Sequence, residues 1–266
     1  MRPSSLPGLL VARYREQREL VLGLVSVTTL LVLWEYIVGS GYFDAFYASQ
    51  PSAIAAAGFQ LFASGKIWPE LGSTATGFAV GFALATLIAV PLGILIGWYP
   101  TLYALTKPYI AALSATPRIA LFPLFMVWLG IGIEVKILIV FISSSLPILF
   151  NTIGGMRSLD SSYVEVARCM GANDRQVLTT VALPASVPFI MTGLRIGVGH
   201  ALLATIVAEL LVGSAGLGAL IAVSATYFQT AKLMSLILIV AAAGVVLLQV
   251  VQWVEEKVDF WRPRAR

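Results

Sequence analysis

The chain has 266 residues, of which 59% are hydrophobic and only 11% charged, with a formal net charge of +4. A soluble domain carries about 25% charged residues, so these few charges cannot cover a water-facing surface. A cytosolic enzyme, a disordered chain and a nucleic-acid binder are excluded, and the single Cys169 excludes a disulfide framework or a Cys-based zinc site.

A membrane-crossing helix needs about 20 mainly apolar residues. Residues 1–19 are a basic N-terminal segment in which Leu9, Leu10, Val11 and Tyr14 mix with Arg13, Arg15 and Arg18. It reads either as an interfacial helix or as a polar tail. The first span is expected near 20–39, apolar except for Glu35. It is long for the apolar core of a signal peptide, and no small-x-small cleavage site follows it. Further spans are expected near 73–97, 108–131, 135–156, 186–211 and 233–254, with a polar loop at 157–185 and a tail at 255–266. Runs such as Ile137-Leu138-Ile139-Val140-Phe141-Ile142 are apolar on both faces, whereas a barrel strand alternates. The expected fold is therefore all-α, a polytopic membrane protein with six transmembrane helices.

Basic residues set the orientation. With the N-terminus cytoplasmic, the inside carries Arg2, Arg13, Arg15, Arg18, Lys107, Arg157, Arg168, Arg175, Lys257, Arg262, Arg264 and Arg266. The outside carries Lys66, Lys136 and Lys232. Both termini are then cytoplasmic. Gly77 and Gly81, Gly93 and Gly97, and Gly193 and Gly197 are four apart, a spacing that lets helix backbones approach closely in lipid. Trp34, Trp98, Trp128 and Trp253 fall near span ends, as interfacial anchors do.

The loop at 157–185 is more elaborate than topology requires. Ser161 or Ser162 can cap a first short helix, with Glu165 a turn later. Gly171 suits the break, Asn173 or Asp174 can cap a second helix, and Pro184 and Pro188 mark the turn back into the membrane. A helical hairpin of this kind suits docking to a partner.

The loop resembles the EAA signature of permease subunits from bacterial ABC importers. Glu165, Ala167, Gly171, Leu183 and Pro184 occupy the places of its Glu, second Ala, Gly and Leu-Pro, while Val166 departs from the first Ala. The segments ATPRIALFPLFMVWLGIG (115–132), LFNTIGGMRSL (149–159), TGLRIGVG (192–199), VAE (207–209) and GSAGLGALI (213–221) resemble the nitrate/sulfonate/taurine/bicarbonate branch. The likeness spans roughly 70–255. It implies a type I ABC importer permease fold and a permease with no cofactor of its own. It further implies a second permease copy, two ATPase subunits that bind ATP and Mg, and an extracytoplasmic solute-binding protein. The loop would be the coupling helix, set in a groove of the ATPase, with Glu165 paired to a basic residue there. A solvated first-turn carboxylate is the simpler reading of Glu165. The solute would be a small anion, moved by alternating access in the bacterial inner membrane.

The glycines of Gly72–Gly77 are followed by Phe78-Ala79 where a phosphate-binding loop needs Lys and Ser or Thr. The chain itself is thus not expected to hydrolyse ATP. HExxH is absent, and Ser214 with His200 has the wrong motif order for a serine hydrolase.

Ionisable groups inside spans are costly and invite functional readings. Arg118, His200 and Glu209, with the polar Asn151, are candidates for the translocation path. Arg118 can draw anions, snorkel to the cytoplasmic interface or pair with Glu209. Glu209 can gate the path or make an interspan hydrogen bond near the outer surface. Asn151 can line the path or bond between helices. An ion-coupled secondary carrier needs paired deep carboxylates, and only Glu209 qualifies. A membrane scaffold subunit is the third class.

Overall fold

The computed structural model describes residues 6–41, 47–212 and 214–258, without the side chains of 6–17, 19, 20 and 258. Arg2, Arg262, Arg264, Arg266 and Gly213 lie outside the described residues. Every element among those described is helical. Five helices are long and apolar enough to cross a membrane, and a bent pair makes a sixth. The helices form two compact units, one of residues up to Ser64 with Ser224–Ser235, the other of Gly65–Val223 with the chain from Leu236 onward.

In the first unit, α1 (Leu6–Gly39) runs unbroken through the basic segment. Residues 6–19 thus lie on the same helix as the first candidate span, which begins at Val21. Within this helix no Pro follows Pro7, and Arg, Glu, Gln and Leu all favour helix. From Val21 to Leu33 its large apolar side chains are exposed, as a lipid-facing helix requires. The N-cap residue of α2 (Pro51–Ala63), Gln50, makes no side-chain cap. Glu35 supplies one instead, accepting from the Ser52 amide at 3.0 Å and its hydroxyl at 2.6 Å. A carboxylate beside the positive end of a helix is favourably placed. This explains an ionisable residue at the end of an otherwise apolar span.

The second unit contains α3 (Ile67–Trp98), α4 (Pro100–Ala115), a 3₁₀ turn (Arg118–Leu121), α5 (Phe122–Leu129) and α6 (Ile133–Arg157). There follow α7 (Ser161–Cys169), α8 (Asp174–Val177), a π turn (Leu178–Ala182) and α9 (Leu183–Val212). The helices α10 (Leu217–Thr226) and α11 (Thr230–Val258) contribute to both units.

Two expectations need correction. The third span, 108–131, is not one helix: Pro100–Ala115 and Arg118–Leu129 meet at 83°. Pro117 has no amide hydrogen to donate and forces the preceding residue out of helical geometry, and Thr116 is accordingly extended (φ −78°, ψ 127°). Nor do Pro184 and Pro188 mark a turn. Residues Asp174–Val212 form one continuous 39-residue span through the π turn. The wider π loop lies just before Pro184, which has no amide to return to the preceding turn.

The core of the second unit is α3 against α6 against α9. On α3 the small residues Gly77, Gly81, Ala85, Ala89, Gly93 and Gly97 recur every fourth position, all buried. They meet a matching row on α6. A Cβ placed at Gly81 would lie 2.7 Å from the Val140 Cβ, and at Gly93 2.6 Å from the Thr152 Cβ. On α9, a Cβ at Gly193 would come within 2.9 Å of the Asn151 Cβ and 3.2 Å of the Ile148 Cα. In lipid there is no hydrophobic drive between helices, so this close backbone contact is the main source of cohesion. Phe78, Phe122, Phe125, Ile139, Val140 and Val198 fill the remaining space.

Candidate functional site

Three features of the second unit bear on function. The first is the hairpin after α6. Asp160, not Ser161 or Ser162, caps α7, its carboxylate accepting from the Ser162 amide at 2.9 Å. Asp160 is the residue just before the helix, the place a cap must occupy. The Ser162 amide and then its hydroxyl hold the Asp160 carboxyl below its usual pKa. The cap is therefore intact above the unfolded carboxylate range and lost as pH falls through the lowered value.

Gly171 has φ +86°, the left-handed geometry that ends a helix. Asn173 caps α8 in a reciprocal box with Gln176, at 2.8 and 2.9 Å. Arg168 and Asp174 bridge the two helices at 2.9 Å, although both are too exposed for the pair to add much stability. Gly171→Ala places a side chain where nothing lies within 4 Å, so its cost comes from backbone strain alone. It is expected to weaken the hairpin by about 1 kcal/mol, read as faster amide exchange of α7.

No residue of α7 is buried. Tyr163, Val166 and Met170 are 63%, 60% and 83% exposed, and their spacing puts them on one stripe. Glu165 lies beside this stripe and is exposed, Ala167 is half-buried, and Leu183 and Pro184 sit half-buried at the start of α9.

The second feature lies at the opposite end of α6 and α9. Glu209 is fully buried and pairs with Lys136 at 2.8 Å. Its other oxygen accepts from the Thr74 hydroxyl and the Gly218 amide, each at 2.9 Å. Lys136 also donates to the Ser73 hydroxyl at 3.0 Å, and the Leu217 amide donates to Thr74 at 2.9 Å. The Gly216 amide donates to Glu70. Gly216 has φ +110°, and a Cβ there would overlap the Glu209 carboxylate. The loop before α10 is thus stapled to α3 and α9 by two carboxylates. Glu209 does not pair with Arg118, and Lys136 is not a loop charge. Both lie three residues inside helix ends, which is the signal that such a pair offers in a sequence.

The third feature is a cavity of about 390 Å³ beside the break between α4 and α5. Arg118 and His200 both line it, and Asn151 does not. Arg118 donates to the Ser143 carbonyl at 3.0 Å. Ser143 stands ten residues after Ile133 and fourteen before Arg157, so Arg118 reaches mid-helix and does not snorkel to an end. Asn151 instead donates to the Pro147 carbonyl of its own helix at 2.8 Å. It packs where α6 meets Gly193.

Residues 89–260 match the family described as binding-protein-dependent transport system inner membrane component. The chain belongs to this family of inner membrane permeases. It is similar to a putative ABC transporter permease of Methanocaldococcus jannaschii, 39% identical over 68% of both chains. It is also similar to a putative aliphatic sulfonates transport permease of Bacillus subtilis, 31% identical over 90% of this chain and 87% of that one. In fold, the permease resembles a chain of an inward-facing methionine ABC transporter. The TM-score is 0.59 at 18% identity, covering 73% of this chain and 94% of that one. The all-α, multi-span permease fold read from the sequence is therefore the observed one.

Proposed function

We propose that this permease is the translocation subunit of an ATP-driven importer for a small anion, and that α7 is its docking element for a separate ATPase. The exposed stripe of α7 carries the reading. A nine-residue helix with no buried residue, with Tyr163 and Val166 facing out and Met170 exposed at its C-cap, is poorly served by water and fits a groove on a partner. Glu165 is placed to pair with a basic group of that groove, and Gly171 sets the angle of the hairpin. Ala167 lies half-buried on α7, and Leu183 and Pro184 open the helix into which the hairpin continues. ATP and Mg belong to the ATPase. Two ATPase copies, a second permease copy and an extracytoplasmic binding protein complete the assembly, with the hairpin and both termini cytoplasmic.

The anion is supported by the sulfonate relative and by a cavity with a cationic side chain and no carboxylate in its lining. An ion-coupled carrier fits less well, because the deep carboxylate Glu209 is already neutralised by Lys136. The test is co-purification from detergent with the co-expressed ATPase. Wild type is expected to retain it, and Glu165→Lys combined with Gly171→Pro to lose it while still inserting. Retention by the variant at wild-type levels would falsify the docking role of α7.

A further inference from the structure

Among the described residues of the second unit, three basic groups have carboxylate partners: Lys136 with Glu209, Arg195 with Glu255, and Arg168 with Asp174. Arg118, which is half-buried, has none. Its bond to Ser143 uses one donor of a guanidinium that has five. From the 1.5 Å rise per residue, Ser143 stands about 15 Å from the Ile133 end of α6, which is half the thickness of a hydrocarbon core of about 30 Å. His200 stands twelve residues before Val212, at nearly the same depth on α9. A permanent cation at that depth is costly unless an opposite charge or water meets it. No acid lines the cavity it faces.

We infer that the cavity bounded by Arg118 and His200 is a mid-membrane binding station for a small oxyanion of the nitrate or sulfonate type. The inference rests on the reading of the solute as an anion and assigns it a place in this chain. The planar guanidinium presents parallel N–H groups that match two oxygens of a trigonal or tetrahedral oxyanion. The break at Thr116-Pro117 is what brings the Arg118 backbone to the cavity wall. An unbroken helix would carry Arg118 onward along its axis. His200 adds a ring nitrogen from the facing helix. The space of about 390 Å³ admits a short organic sulfonate as well as nitrate.

The test is scintillation-proximity binding of labelled methanesulfonate to the full permease in lipid nanodiscs, with and without its ATPase, in excess chloride. Nitrate and uncharged dimethyl sulfone serve as competitors. Saturable binding that nitrate displaces and dimethyl sulfone does not is the expected result. Arg118→Gln should weaken it about 10- to 100-fold, the worth of a charge-assisted hydrogen bond. His200→Asp, which sets a negative charge in the same space, should weaken it at least as much. Arg118→Lys keeps the charge but not the fork and should fall between. Absence of saturable binding in wild type, equal displacement by dimethyl sulfone, or wild-type affinity in Arg118→Gln overturns the station. If Arg118→Gln does not elute as wild type, the His200→Asp result decides alone. Loss of the ATPase from wild type with anion binding intact sinks the importer reading and leaves the station standing.

Discussion

Lys136→Met is expected to destabilise the permease by about 3–5 kcal/mol, because it leaves the Glu209 carboxylate buried without its counter-charge. That is a large share of the 5–15 kcal/mol by which a domain is typically stable. The dependence is sharp because Glu209 is fully buried and its second oxygen already serves Thr74 and Gly218. Adding Glu209→Gln to Lys136→Met should recover more than half of the loss. The amide keeps an acceptor for Thr74 and Gly218 and removes the unpaired charge. Denaturant unfolding of the four forms in detergent gives the coupling directly. A Lys136→Met protein within about 0.5 kcal/mol of wild type would mean that the pair is solvated and that the loop before α10 is held by other means.

Gly81→Leu is expected to prevent α3 and α6 from seating. Even the first added carbon would lie 2.7 Å from Val140 and 2.9 Å from the Ile137 carbonyl. A side chain can swing aside, but a helix carbonyl cannot without moving the helix. Overpacking typically costs about 1–3 kcal/mol where neighbours can adjust, and here the cost should exceed that range. The readout is the yield of monodisperse protein after extraction. Gly154→Ala is the matched control, since nothing lies within 4 Å of its added carbon. It should be neutral or gain up to about 1 kcal/mol from helix propensity. Equal yields from the two variants would show that the glycine stripe is not a packing seam.

The glycine pairs were legible because a four-residue spacing is local, and so were Gly171 and Asn173, whose roles depend on the next few residues. Ala85 and Ala89, which complete the stripe, were less conspicuous because alanine is common in apolar helices. The bend at Pro117 had its signal in the Thr-Pro step, but the apolar runs on either side of Pro117-Arg118 concealed it. The Lys136–Glu209 pair was not legible. Its partners are 73 residues apart, and their meeting depends on the register of two helices fixed by the glycine contacts. Arg118 was legible as an oddity, but its mid-helix bond to Ser143 depends on the same packing.

The continuous run from Asp174 to Val212 has a mechanical meaning. At 1.5 Å per residue it is a rod of roughly 60 Å, with the hairpin at one tip, His200 along its length and the stapled Glu209 near the other tip. No flexible linker separates these stations, so a tug on the hairpin is delivered along a single beam. The π turn at Leu178–Ala182, where the hydrogen-bond ladder is already loosened, and Pro188, which removes one of its bonds, are the joints in that beam. Under the docking proposed above, their stiffness sets how much of a displacement of the hairpin arrives as tilt at the far tip and how much is spent as local flexing near the hairpin.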